Sequence, residues 1–165
     1  MSGYHLAGWT AFFVAVIGAG AALTGLVFVA VSINLDRIVS AGSFLSSRAA
    51  ETMATLLLVV VSSSLALVPQ GARWLGVEIL AIAAPLLVVT LRTQVRHRRA
   101  QPDDPLLWHV ARVSCTAVAT IPACLAGITL VVRWGGGVYW LVPTALLGMT
   151  GAMFTAWVLL IEIAR

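Results

Sequence analysis

The chain has 165 residues, of which 61% are hydrophobic and 10% charged, with a formal net charge of +4 and a mean hydropathy of +1.02. A soluble domain carries about 25% charged residues, so this chain has too few charges to cover a water-facing surface. The composition excludes a soluble enzyme, a disordered regulator and a secreted disulfide scaffold, and points to an all-α membrane protein.

A bilayer core takes about 20 mainly apolar residues per helix. Five stretches meet that need: about 9–35, 50–68, 74–91, 110–132 and 139–163. The connectors are short and polar, so residues 1–165 read as one integral-membrane domain, a bundle of five transmembrane helices. The third stretch is the shortest and contains Glu78 and Pro85. If it fails to cross, four spans remain. The first stretch is uncharged and its flank Met1–Trp9 holds no Lys or Arg, so a retained helix is expected there rather than a cleaved signal peptide.

Within the first stretch, Ala11, Ala15, Gly18, Ala22, Gly25, Val29, Ser32 and Asp36 alternate steps of four and three, which places them on one helix face. In lipid, helices associate by close packing of small residues. The face therefore predicts short-range contact with another helix, within the subunit or across an oligomer, with pore lining as the sharper alternative. Thr144, Gly148, Gly151 and Thr155 repeat the device in the fifth stretch, and Thr116, Thr120, Ala123 and Gly127 in the fourth. Ser62, Ser63 and Ser64 fall in mid-span, where hydroxyls most often bond back to their own helix. Cys115 and Cys124 are nine residues apart in one run. Roughly 13 Å of helix rise separates them, too far for a disulfide.

Orientation follows from arginine, the chain's only basic residue besides histidine. Arg73 and Arg133 lie on one side of the predicted topology. Arg37, Arg48, Arg92, Arg96, Arg98, Arg99, Arg112 and Arg165 lie on the other. This split predicts the N-terminus outside and the C-terminus in the cytoplasm. Trp9, Trp74, Trp134 and Trp140 fall at predicted outer ends, where amphipathic rings settle. Arg92, Arg96, Arg98 and Arg99 predict contact with anionic lipid. No aromatic interleaving accompanies them, so nucleic acid is not an expected partner.

Ionisable groups within spans are costly and therefore informative. Asp36, Arg37, Arg48 and Glu51 gather at the inner ends of the first two spans. Arg48 and Glu51, at i and i+3, suit pairing, and Glu51 lies near a helix start that favours an anion. The ordinary reading is a salt-bridged interfacial hairpin; the sharper one is a charged gate. Glu78 lies one turn into the third span, with Arg73 close in sequence, and reads as an interfacial anchor or an ion site. No nucleophile elbow, phosphate loop or zinc-helix pair is present. His5, His97 and His109 are scattered. No enzyme activity, metal or cofactor is expected.

The segments ALTGLVFVAVSINLDR (residues 22–37) and SRAAET (residues 47–52) resemble uncharacterised small polytopic membrane proteins of actinobacteria, along most of the chain. The resemblance implies a bacterial plasma membrane and carries no activity. The expectation from the residues is a homo-oligomer forming a pathway for cations or small solutes, with Asp36 and Glu51 at its inner mouth. The alternative is a non-conducting accessory subunit that binds a larger membrane protein through the same faces.

Overall fold

The computed structural model describes residues 6–33, 43–100 and 106–164. Among them there is no strand, and five long helices follow in order: α1 Thr10–Ile33, α2 Ser43–Leu67, α3 Ala72–Ala100, α4 Leu106–Val132 and α5 Leu141–Ala164. Short 3₁₀ turns at Leu6–Trp9 and Gly137–Trp140 lead into α1 and α5. Thr10–Ile33, Ala49–Leu67, Ala72–Arg96 and Gly137–Phe154 are each long and apolar enough to cross a membrane, and α4 adds the shorter apolar stretch Ala117–Val132. In lipid no water meets the backbone, so a helix, which bonds its own N–H and C=O groups, is the form such segments take.

The helices run up and down. One core cluster joins Phe13 at the start of α1, Ala66 at the end of α2, Leu75 and Ile79 at the start of α3, Leu130 at the end of α4 and Leu141 at the start of α5. Consecutive helices therefore run antiparallel, and α1 and α5 begin at the same end. This tryptophan end holds Trp9, whose ring meets Tyr139 edge-on at 4.8 Å between centroids. The other, arginine end carries Arg92 and Arg96.

The third segment departs from expectation. It is the longest helix, not the shortest, at 29 residues. Pro85 does not break it. Pro85 is exposed on the helix, so the backbone bond it removes lies away from the packed interior.

α3 packs most extensively on α4, α1 on α2, and α2 touches every other helix. The α3–α4 contact turns on two glycines. A Cβ at Gly76 would lie 2.8 Å from the Gly127 carbonyl oxygen, and one at Gly127 would lie 2.9 Å from that of Gly76. The backbones touch, which only glycine permits. Gly20 and Gly148 instead face side chains of α2, with Val60 Cγ2 and Val59 Cγ2 at 2.7 and 2.8 Å from a Cβ placed on each.

The α4–α5 turn is set by conformation rather than looseness. Arg133 ends α4 with φ 59°, and the Trp134 N–H donates to Thr129 O at 3.2 Å. This is the Schellman pattern of helix termination. Gly135, Gly136 and Gly137 continue with φ of 93°, 116° and 57°, values that side chains disfavour. Trp140 Nε1 donates to Gly135 O at 2.8 Å and closes the turn.

Candidate functional site

The small-residue face of α1 turns away from the bundle. Ala11, Ala15, Gly18, Ala22, Gly25, Val29 and Ser32 are all exposed, and nothing lies within 4 Å of a Cβ placed on Gly18 or Gly25. The opposite face, with Phe13, Val16, Gly20 and Val27, packs inward. In the fifth segment Gly148 is buried and Gly151 half-buried. The α1 stripe thus makes no close contact within the protomer.

The described acidic side chains lie elsewhere, Glu51 where α2 meets α3 and Glu78 beside the α2–α3 turn. At the arginine end, half-buried Glu51 accepts from Thr93 Oγ1 at 3.4 Å. Thr93 Oγ1 also lies 2.8 Å from Thr90 O. At the tryptophan end, Gln70 Nε2 in the α2–α3 turn donates to Glu78 Oε2 at 2.7 Å and to Leu65 O at 3.2 Å. The neighbour expected for Glu78 was Arg73. Five residues along a helix put side chains about 140° apart, and Gln70 takes the place instead. Asp36 and Arg37, and the side chains of Arg48, Arg98 and Arg99, lie outside the described residues.

Helical spacing places Glu51 on this seam but turns Glu78 away from it: Glu78 lies five residues, about 140°, round α3 from Ala83 and is held from the α2–α3 turn by Gln70. On α2, Glu51, Thr55, Leu58, Ser62 and Leu65 alternate steps of four and three and form one stripe. Leu58 meets Ala83 and Ala123 in one buried cluster, with Leu86 and Cys124 packed against it. Along the bundle the order is Glu51, the apolar plug and, round the helix at the far end, Glu78. About 22 Å of helix rise separates Glu78 from Thr93. The stripe's hydroxyls are tied to their own helix, Thr55 Oγ1 donating to Glu51 O at 2.9 Å and Ser62 Oγ to Val59 O at 3.2 Å. The Thr55 methyl lies 3.6 Å from a Cβ placed on Gly148, so that part of the stripe turns toward α5.

Gln94, the residue after Thr93 on α3, carries a buried polar group that the sequence does not single out. It is 7% exposed, yet neither its Nε2 nor its Oε1 has a hydrogen-bond partner. Its position follows the buried register of α3, Leu75, Ile79, Ala83, Thr90 and Gln94, in steps of four or multiples of a turn. The flanking arginines conceal that register. Each unsatisfied buried amide group costs about 1–3 kcal/mol. Gln94→Met keeps the length and removes both groups, and is expected to stabilise the fold by about 1–3 kcal/mol. A thermal melt in detergent measures this. A lowered melting temperature would show that the amide is satisfied.

Family models, curated proteins and solved structures yield no match to this chain.

Proposed function

We propose that the protein is a homo-oligomeric integral membrane protein that passes cations or small polar solutes along the α2–α3 seam of each protomer. The observation that carries this reading is Glu51 held by Thr93 where α2 meets α3, with the second described carboxylate, Glu78, at the far end beside the α2–α3 turn. Carboxylates at a mouth raise local cation concentration, and an apolar constriction between them gates by excluding water. Leu58, Ala83 and Leu86 are that constriction. The seam is also the weaker of the two contacts that α3 makes with its sequence neighbours.

The pathway lies away from the α1 stripe. That stripe instead supplies the contact between protomers, where small residues let backbones approach. The arginine end faces the cytoplasm of a bacterial plasma membrane, by the positive-inside bias. A second reading, a non-conducting accessory subunit, draws on the filled interior: Leu56, Leu58, Val59 and Leu130 are at most 1% exposed.

The test is cation flux into liposomes holding purified protein. A carboxylate attracts a cation at 4 Å by about 1 kcal/mol in water. Glu51→Gln is thus expected to lower flux about five-fold. Flux unchanged by Glu51→Gln would place the route elsewhere.

A further inference from the structure

We propose that the arginine end of α3 holds a discrete site for one anionic phospholipid per protomer. The site goes beyond the pathway and does not depend on it. A cavity of about 340 Å³ opens there, lined among the described residues by Leu91, Arg92, Val95 and Arg96. That volume falls at the lower end of the range for small-molecule sites, about 300–1,000 Å³.

Three features select the occupant. First, α3 remains helical through Ala100, so Arg92 and Arg96, at i and i+4, stand one turn apart on the same face with roughly 6 Å between their Cβ atoms. Two guanidinium groups at that spacing converge on one phosphate, which each can grip through paired N–H donors. Second, Leu91 and Val95 share the spacing and give the cavity an apolar wall. A free phosphate has no use for that wall; the upper part of an acyl chain does. Third, the site lies where the apolar run of α3 gives way to its arginine-rich end, Arg92 and Arg96. Headgroup phosphates sit at that depth. No acidic residue is among the described lining residues. A disordered basic tail would gather many lipids loosely. A helical clamp beside a cavity holds one.

The test uses full-length protein in nanodiscs of phosphatidylcholine with a minor fraction of phosphatidylglycerol. Native mass spectrometry counts the phosphatidylglycerol molecules retained per protomer. Wild type is expected to retain one. Each arginine near an anionic surface contributes about 1 kcal/mol, so Arg92→Gln with Arg96→Gln should weaken retention about 25-fold. Val95→Trp leaves the charge intact and fills the cavity, and should weaken it at least ten-fold. All four lining residues are exposed, so these variants leave the core untouched. Arg133→Gln, at the tryptophan end, should change nothing. Unchanged retention in Val95→Trp, or an equal loss in Arg133→Gln, would overturn the site in favour of general charge attraction. Displacement of the lipid by inorganic phosphate would also overturn it, in favour of a free-anion site.

Discussion

Gly127→Leu is expected to prevent the bundle from closing. Gly127 and Gly76 meet where α4 crosses α3, with each missing Cβ position within 3 Å of the other's carbonyl oxygen. A Cβ on Gly127 would also lie 2.5 Å from Leu80 Cγ. Leu80 can turn aside, but the Gly76 carbonyl is backbone and cannot. Even Gly76→Ala, which improves helix propensity by about 1 kcal/mol, should be destabilising by about 1–3 kcal/mol because the helices must separate. Leucine at position 127 forces a wider separation along the most extensive contact in the molecule. The cost should exceed about 4 kcal/mol, in the range reached only by severe disruptions. Size-exclusion chromatography and thermal melting in detergent read the outcome. A Gly127→Leu protein that melts like wild type would mean that the two backbones do not meet.

The paired substitution Gly18→Leu and Gly25→Leu should do the reverse. Both positions are open, with nothing near a new Cβ, and leucine favours helix over glycine by up to about 1 kcal/mol per site. The protomer should therefore keep its fold and gain slight stability. The proposed contact between protomers should fail, because two backbones can no longer approach there. Native mass measurement should show wild type as a multiple of 17.4 kDa and the double variant as single chains. An unchanged mass would mean that α1 presents its stripe to lipid. The two experiments place the same residue type, in two helices of one bundle, on opposite sides of the stability balance.

These two glycine sets also show what the residues alone disclose. The helices are legible because each apolar run comes close to or exceeds what a bilayer requires, and the antiparallel order follows from short connectors. The inward face of α1 is not legible. A helix surrounded by lipid is apolar all round, so periodicity finds a smooth stripe without saying which side it faces. The most regular stripe, Ala11 to Ser32, is the outer one, and bulky Phe13, Val16 and Val27 turn inward. Gly76 has no small-residue stripe around it; its meaning appears only when Gly127 arrives from another helix. Gln94 is hidden by Arg92 and Arg96, though the spacing from Leu75 reaches it. Gln70 finds Glu78 through a turn whose geometry composition does not specify.

The measurement that bears most directly on the α2–α3 seam is cation conductance across a planar bilayer, wild type against Leu86→Ser. Leu86 packs against the buried plug from a half-buried position, so a hydroxyl there invites water with modest loss of packing. If the seam is the route and the plug its gate, wild type conducts above the protein-free bilayer, and Leu86→Ser conducts at least several-fold more, at either sign of voltage. If neither protein conducts across pH and voltage, or if Leu86→Ser matches wild type, the seam is not a pathway and the accessory-subunit reading replaces it.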